Sequence, residues 1–141
     1  MKNMDKRQRI LIVDDAKLNR DILKEILGET YNYLEAENRN QAIQMTADNP
    51  GIDLMLLEIN MPQMNVFEVL KLMKQSQCLD ETPVIMISSE DAVDTMRKAY
   101  ELGITDYITR PFDSVIVKKR VQNTLGLYAN QKHLTMTQRF K

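Results

Sequence analysis

The heptapeptide LMLLEIN at residues 54–60 opens with an unbroken apolar run and turns acidic at Glu58. A second stretch, VIMISS at residues 84–89, has the same design and ends in two serines. Strands that are apolar at every position, not at alternate positions, are typical of a parallel sheet whose two faces are both buried. We therefore predict an α/β fold with two central strands here and polar side chains at their carboxyl ends.

Shorter apolar runs and amphipathic segments alternate around these two stretches. Strands are predicted at residues 10–13, 31–36, 52–57, 84–87 and 107–108. The predicted helices present, in order, Leu18, Ile22, Ile26 and Leu27 before a stop at Gly28; Ala42, Ile43 and Ala47 between an Asn40 cap and residues 49–51; Val66, Phe67, Leu70 and Met73; Val93, Met96 and Tyr100 before Gly103; and a last helix after an Asp113 cap.

This strict alternation of strand and helix predicts the architecture. Parallel neighbouring strands need crossover connections, and right-handed crossovers place helices on both faces of the sheet. We expect one doubly wound domain over residues 1–127. Beyond it the pattern fades, so residues 128–141 are predicted to form a helical extension or a linker.

Composition excludes several classes of function. The 141 residues are 43% hydrophobic, enough for a core, and carry a net charge of -1 with no basic patch for nucleic acid or an anionic membrane. The first apolar run is too short for a signal peptide or a membrane span, so we expect a cytoplasmic location. The single cysteine, Cys78, allows no internal disulfide, and His133 has no partner at metal-ligand spacing.

The residues that could carry chemistry follow the predicted strands. Ligands of open parallel sheets bind at the carboxyl ends of the strands. Those ends carry Asp14 and Asp15, Glu58 and Asn60, Ser88 and Ser89, and Thr109 and Arg110. Neighbouring carboxylates repel unless a hard cation such as Mg²⁺ or a basic side chain compensates. The sequence therefore predicts a polar or ionic site at this edge.

Four segments carry a resemblance to a known family. The blocks ILIVDD (residues 10–15), LLEINMP (56–62), PVIMISS (83–89) and DYITRPF (106–112) resemble, in order and spacing, the signature blocks of response-regulator receiver domains. The resemblance covers about residues 9–127. It implies a flavodoxin-like, five-stranded parallel sheet in the order 2-1-3-4-5, a fold order that is general for such domains.

The resemblance also implies roles for individual residues. Asp14 and Asp15 match the acidic pair that binds the metal, and Asn60 matches the position whose backbone carbonyl is a further metal ligand. Ser88 matches the hydroxyl of the conformational switch, and Tyr107 matches its aromatic residue. With Glu58 added, the implied ligand set for Mg²⁺ is Asp14, Asp15, Glu58 and Asn60.

Two positions at the reaction centre depart from the family pattern. Glu58 stands where the family has its phosphate-accepting aspartate, and Arg110 stands where it has a phosphate-binding lysine. Residues 65–66, Asn-Val, also replace the usual Asp-Gly. The extra methylene of Glu58 carries its carboxylate past the position needed for in-line phosphoryl transfer, so we expect poor transfer and weak or absent Mg²⁺ binding.

The two departures match each other chemically. Arginine can clasp a carboxylate with two hydrogen bonds, so Arg110 and Glu58 could together imitate the phosphorylated state near Ser88. The alternative is a structural salt bridge in a pocket that no longer signals.

The sequence thus predicts a non-enzymatic, phosphorylation-independent signalling module that acts by protein contact. The resemblance implies a histidine kinase or an output domain as partners, and a homodimer through helix 4, strand 5 and helix 5. One alternative is a conventional receiver that still accepts phosphate. Another is a Mg²⁺-dependent phosphohydrolase with Asp14 or Asp15 as nucleophile, although no insertion is long enough for a substrate cap.

Overall fold

The computed structural model describes residues 6–61, 65–75, 82–89 and 93–139, with side chains described as far as residue 128. The elements are β1 (Arg9–Val13), α1 (Lys17–Leu27), β2 (Asn32–Ala36), α2 (Arg39–Asp48), β3 (Leu54–Glu58), α3 (Val66–Gln75), β4 (Val84–Ser88), α4 (Val93–Glu101), β5 (Asp106–Thr109) and α5 (Ser114–Arg139). The five strands are parallel, in the order β2-β1-β3-β4-β5. The predicted fold class and strand order are confirmed.

The sheet separates two apolar layers. Alternate residues of β1 show this: Ile10 and Ile12 pack with α1 and α5, whereas Leu11 and Val13 pack with α2, α3 and α4. Every residue of β3 and β4 is buried, as the unbroken apolar runs predicted. Since each fully buried aliphatic side chain contributes about 1.5–3 kcal/mol, these two strands anchor the fold.

The first helix forms as predicted but turns a different face to the sheet. It ends at Gly28, whose φ of 81° is readily adopted only by glycine. Leu18 is 70% exposed, however, and the buried stripe consists of Arg20, Leu23 and Leu27. The prediction that Leu18 and Ile22 belong to the buried face was wrong, since both are exposed and a buried arginine takes up part of that face.

Helix ends show one further correction. The cap of α2 is Asn38, whose Oδ1 accepts a hydrogen bond from Gln41 N, and not Asn40. The Asp113 cap of α5 is confirmed, since its Oδ1 accepts from Val115 N and Ile116 N. Strand ends differ by one or two residues from the predicted ones, and Glu58 and Ser88 are the last residues of β3 and β4.

The last helix is the longest element. α5 has 26 residues, a length of about 39 Å, and it continues through position 127 without a break. The domain boundary placed there stays a prediction. Cys78 and the side chain of His133 lie outside the described residues. Among the described residues, no helix is both long and apolar enough to cross a membrane.

Candidate functional site at the carboxyl edge of the sheet

Glu58 is the centre of the predicted site and is deeply buried. Its backbone pairs with β4, and its side chain is only 2% exposed. Oε1 accepts hydrogen bonds from Asn60 N at 3.1 Å and from Arg110 Nη2 at 2.9 Å. Oε2 is buried and has no hydrogen-bond partner among the described residues. One oxygen of the carboxylate is therefore held twice, while the other is left open.

Arg110 follows the edge strand β5 and reaches Glu58 across the end of β4, which lies between β5 and β3. Its backbone N–H donates to Ser88 O at 2.9 Å, which continues the pairing of β5 with β4. Its side chain is 26% exposed, and Nε is buried without a partner among the described residues. The expected two-bond clasp of Glu58 is wrong in its geometry, because a single Nη2–Oε1 bond joins the two groups.

The acid pair after β1 is split between the interior and solvent. Asp14 is 1% exposed, its Oδ1 accepts from Ala16 N at 2.9 Å, and its Oδ2 has no partner among the described residues. Asp15 is exposed. Asp14 lies near enough to Glu58 and Arg110 to interact with both electrostatically, whereas Asp15 lies at the rim.

Burial and mutual repulsion make the two inner carboxylates reluctant to ionise. Burial raises the pKa of Glu58, and the nearby Asp14 adds to this, against the lowering effect of the Asn60 N–H and Arg110. Burial likewise raises the pKa of Asp14, with a smaller contribution from Asp15, against the lowering effect of the Ala16 N–H, Asn19 and Arg110. Additional positive charge would therefore stabilise the ionised form of both carboxylates.

The donor set fits a hard cation, but not a preformed cage. Asp14 Oδ2 and Glu58 Oε2 are buried carboxylate oxygens that have no hydrogen-bond partner in the described part of the chain, and carboxylate oxygens are the kind of donor that Mg²⁺ prefers. Yet no group of three or more His, Cys, Asp or Glu side chains in the described part of the chain lies close enough to hold a metal ion. A cation here would keep several waters and rely on one or two carboxylates, as Mg²⁺ usually does.

The two predicted switch residues are both buried. Ser88 has no exposed surface, and Tyr107 is 3% exposed in the layer that also contains α2, α3 and α4. The Tyr107 carbonyl accepts a hydrogen bond from Arg120 of α5. Tyr107 is thus a packed residue of the edge strand.

Some contacts at the site were not predicted. Asn60 Nδ2 donates to Ser89 Oγ at 2.7 Å and so links the loops after β3 and β4. Asn65 Oδ1 accepts from Phe67 N at 3.0 Å, so the residue that departs from the family pattern holds the first turn of α3. Buried Arg20 was also missed, and its i, i+3, i+7 spacing to Leu23 and Leu27 is the signal that could have found it.

Among curated proteins the chain matches some relatives over nearly their whole length and others over only part of it. The chain is 28% identical to a chemotaxis protein CheY homolog of Campylobacter jejuni, over 84% of this chain and 92% of that protein. It is 34% identical to the transcriptional regulatory protein CpxR of Escherichia coli, over 83% of this chain but 49% of that protein. It is 33% identical to a probable cyclic di-GMP phosphodiesterase of Vibrio cholerae, over 82% of this chain but 26% of that protein.

Solved structures agree on the fold. The signal receiver domain of a putative Luxo repressor protein from Vibrio parahaemolyticus superposes with a TM-score of 0.83 at 23% identity, over 91% of this chain and 97% of that one. Residues 10–122 match the family model described as the response regulator receiver domain. The chain therefore belongs to the response regulator receiver family, the receiving module of two-component phosphorelay signalling.

Proposed function

We propose that this receiver is held by internal charge in one signalling state, does not depend on phosphorylation, and acts by protein contact. The observation that carries the proposal is the bond of 2.9 Å between Arg110 Nη2 and Glu58 Oε1, made by a carboxylate that is almost wholly buried. The side chain at the acceptor position and the cation at the phosphate position are already engaged with each other.

The contacts of Glu58 disfavour phosphoryl transfer. A nucleophile must be free and in line with the phosphorus, and small displacements cost large factors in rate. Oε1 is tied to Arg110 and to Asn60 N, and the extra methylene displaces the whole carboxylate relative to an aspartate. We expect no stable phosphorylation at this position.

The same pair supplies part of what a phosphoryl group would bring. A phosphorylated side chain adds negative charge and strong acceptors that attract a cation. In this chain Glu58 provides the charge and Arg110 the cation, and Ser88 and Tyr107 are the proposed switch residues that respond. The burial of both switch residues is in keeping with a single locked arrangement.

A weakly bound Mg²⁺ belongs to the proposal. Of the implied ligand set, Asp14, Glu58 and the Asn60 carbonyl would hold it, and it would neutralise the excess negative charge of the acids. Arg110 competes for the Glu58 carboxylate, and Asp15 lies at the exposed rim, so affinity is low.

The proposed partners are proteins: a histidine kinase, an output domain, or a second copy through α4, β5 and α5. Exposed Leu18 and Ile22 on α1 and Val115 and Ile116 on α5 lie in early turns of helices that start at the site edge of the sheet, and they offer apolar contact area. We propose no enzymatic activity, no direct contact with nucleic acid or membrane, and a cytoplasmic location.

A conventional receiver is the second candidate, favoured by Asp14 Oδ2 and Glu58 Oε2, which accept no hydrogen bond from any residue that the structure describes. Incubation with acetyl phosphate and Mg²⁺, followed by intact-mass measurement, separates the two. We expect an unchanged mass, and a phosphoryl group mapped to Glu58 would establish the second candidate.

A substitution of Glu58 distinguishes two roles of the Glu58–Arg110 pair: an imitation of the phosphorylated state, or a structural salt bridge without a signalling role. Glu58→Gln removes the charge, so the amide resonances of Ser88 and Tyr107 should shift if the switch responds to it. Glu68→Gln is the matched control, because Glu68 is exposed on α3. Equal, small shifts in both variants would leave Glu58 a structural residue only.

A further inference from the structure

We propose that Arg20 is a positioning residue for the acid pair Asp14–Asp15. The proposal deepens the cation site proposed above and rests on it only for the metal arm of its test. Its basis is a buried guanidinium that reaches across from α1 to the end of β1 and to the end of β2.

The contacts of Arg20 use all three guanidinium nitrogens. Nη1 donates to the backbone carbonyl of Asp14 at 2.7 Å. Nε donates to Glu35 Oε1 at 2.9 Å, and Nη2 lies 3.4 Å from Glu37 Oε1. The side chain is only 6% exposed. The guanidinium therefore joins the residue that begins the acid pair to two acids at the end of β2.

A charge at this position needs a reason beyond packing. The stripe that α1 turns inward continues with Leu23 and Leu27, and an apolar residue at position 20 would avoid the cost of burying an ion. Only a planar fork of donors can meet acceptors in three directions at once, which a lysine ammonium cannot do in the same way.

The bond to Asp14 completes a fixed setting for that residue. Asp14 N donates to Ala36 O at 3.0 Å, its carbonyl accepts from Arg20, and its Oδ1 accepts from Ala16 N. The Asp14 carbonyl and the Asp15 N–H share one planar peptide. By holding that plane, Arg20 sets where Asp15 leaves the strand and leaves Asp14 Oδ2 as the available oxygen.

Lys24 provides a matched control. It lies one turn further along α1 and donates to Glu35 Oε2 at 3.0 Å, so it shares an acceptor with Arg20. Its other ion-pair partner is Asp21, at 3.4 Å. Lys24→Met therefore removes a comparable charge from the same cluster while leaving the Arg20 bond to Asp14 in place.

The test compares amide hydrogen exchange in the full chain for Arg20→Met, Arg20→Lys and Lys24→Met. In Arg20→Met, protection of the Asp14 and Ala16 amides, which donate to Ala36 O and Asp14 Oδ1, should fall about tenfold relative to Leu11 in β1, as expected for losing one hydrogen-bonded restraint. In Lys24→Met it should change less than about twofold. Arg20→Lys should fall between them.

A uniform loss of protection across the three amides would assign Arg20 to stability alone and overturn the proposal, as would equal local effects in Arg20→Met and Lys24→Met. If Arg20→Met does not fold, Arg20→Lys decides: no selective loss at Ala16 rejects the proposal. In a second arm, Mn²⁺ titration should show about tenfold weaker binding in Arg20→Met than in Lys24→Met. No Mn²⁺ binding by the parent chain would count against the cation site, while the exchange arm would still decide the role of Arg20.

Discussion

Two clusters of arginine and carboxylate, each built around one buried charged side chain, lie near the ends of the strands, and they differ in how many of their polar atoms have partners. In the first, Arg20 donates hydrogen bonds from all three guanidinium nitrogens, and Glu35 also accepts a hydrogen bond from Lys24. In the second, Arg110 and Glu58 share one bond, and each keeps a buried polar atom without a partner among the described residues. The guanidinium of the first cluster therefore has a partner for each of its nitrogens, and we call this cluster saturated. The second cluster still has polar atoms that could bind another group, and we call it open.

The difference separates scaffold from site. A buried ion pair seldom adds net stability unless its remaining donors and acceptors are satisfied. The Arg20 cluster meets that condition and fixes the geometry of Asp14. The Arg110 cluster does not meet it, and unsatisfied buried atoms of this kind are expected where a molecule binds or changes state.

The largest effect is expected from a substitution of Glu58, the carboxylate of the Arg110–Glu58 cluster. Glu58→Asp shortens the side chain, loosens its bond to Arg110 and restores the reach of an aspartate. Acetyl phosphate with Mg²⁺ should then label a measurable fraction of the protein even with Arg110 present, since the metal supplies most of the charge neutralisation. The parent chain should stay unlabelled by intact-mass measurement.

Arg110→Lys is the matched variant for this prediction. Alone it should not restore labelling, because Glu58 is unchanged. Combined with Glu58→Asp, it should enlarge the changes that labelling causes in the amide resonances of Ser88 and Tyr107. The reason is that a compact ammonium fits beside a phosphoryl group, where the wider guanidinium is crowded. If Glu58→Asp binds metal but remains unlabelled, the defect lies elsewhere, for instance in the loop held by Asn65.

The fold could be predicted from the sequence because its signals are local and redundant. The runs at residues 54–57 and 84–87 identify the central strands without reference to the rest of the chain. Cap and face assignments were weaker: Asn38 and Asn40 are the same residue type two positions apart, and only the hydrogen bond from Gln41 N to the side-chain Oδ1 of Asn38 decides between them.

The site was predictable in its membership but not in its bonding. Strand ends bring Asp14, Glu58 and Arg110 together in any parallel sheet of this order, and the sequence therefore named them. The single bond to Arg110 depends on side-chain rotamers, which the pattern does not determine. Arg20 was missed because a charged residue on an apolar stripe was not read as part of that stripe.

A smaller effect is expected for the metal. The parent chain should bind Mg²⁺ weakly, with a calorimetric dissociation constant in the millimolar range. Arg110→Ala releases Glu58 Oε1, so affinity should rise about tenfold, a typical change when a group beside a metal ligand is altered. Lys17→Ala, which removes an exposed cation paired with Asp21, is the control and should leave affinity unchanged. Tight binding by the parent chain would contradict a site closed by Arg110.

The smallest effect is a difference in how the two clusters respond to pH. Burial raises the pKa of Glu58 above its ordinary 4.5. Burial would also raise the pKa of Glu35, but hydrogen bonds from Lys24 and Arg20 outweigh it and lower that pKa. A group whose pKa is raised by folding stabilises the protein at pH values below its ordinary pKa. That contribution is lost as the pH rises through the pKa of the group in the folded protein. A lowered pKa means stability that is present at neutral pH and lost as pH falls through the folded value.

Glutamine variants should therefore change stability in opposite directions at neutral pH. By urea unfolding at about pH 7, Glu58→Gln should be more stable than the parent, because the raised pKa of Glu58 means that the folded protein disfavours the charged carboxylate. Glu35→Gln should be less stable by under about 1 kcal/mol, since that carboxylate is partly exposed. Both differences should shrink when the measurement is repeated below about pH 4, where protonation makes glutamate neutral as well. If the two variants change stability in the same direction at neutral pH, the contrast between a saturated and an open cluster is wrong.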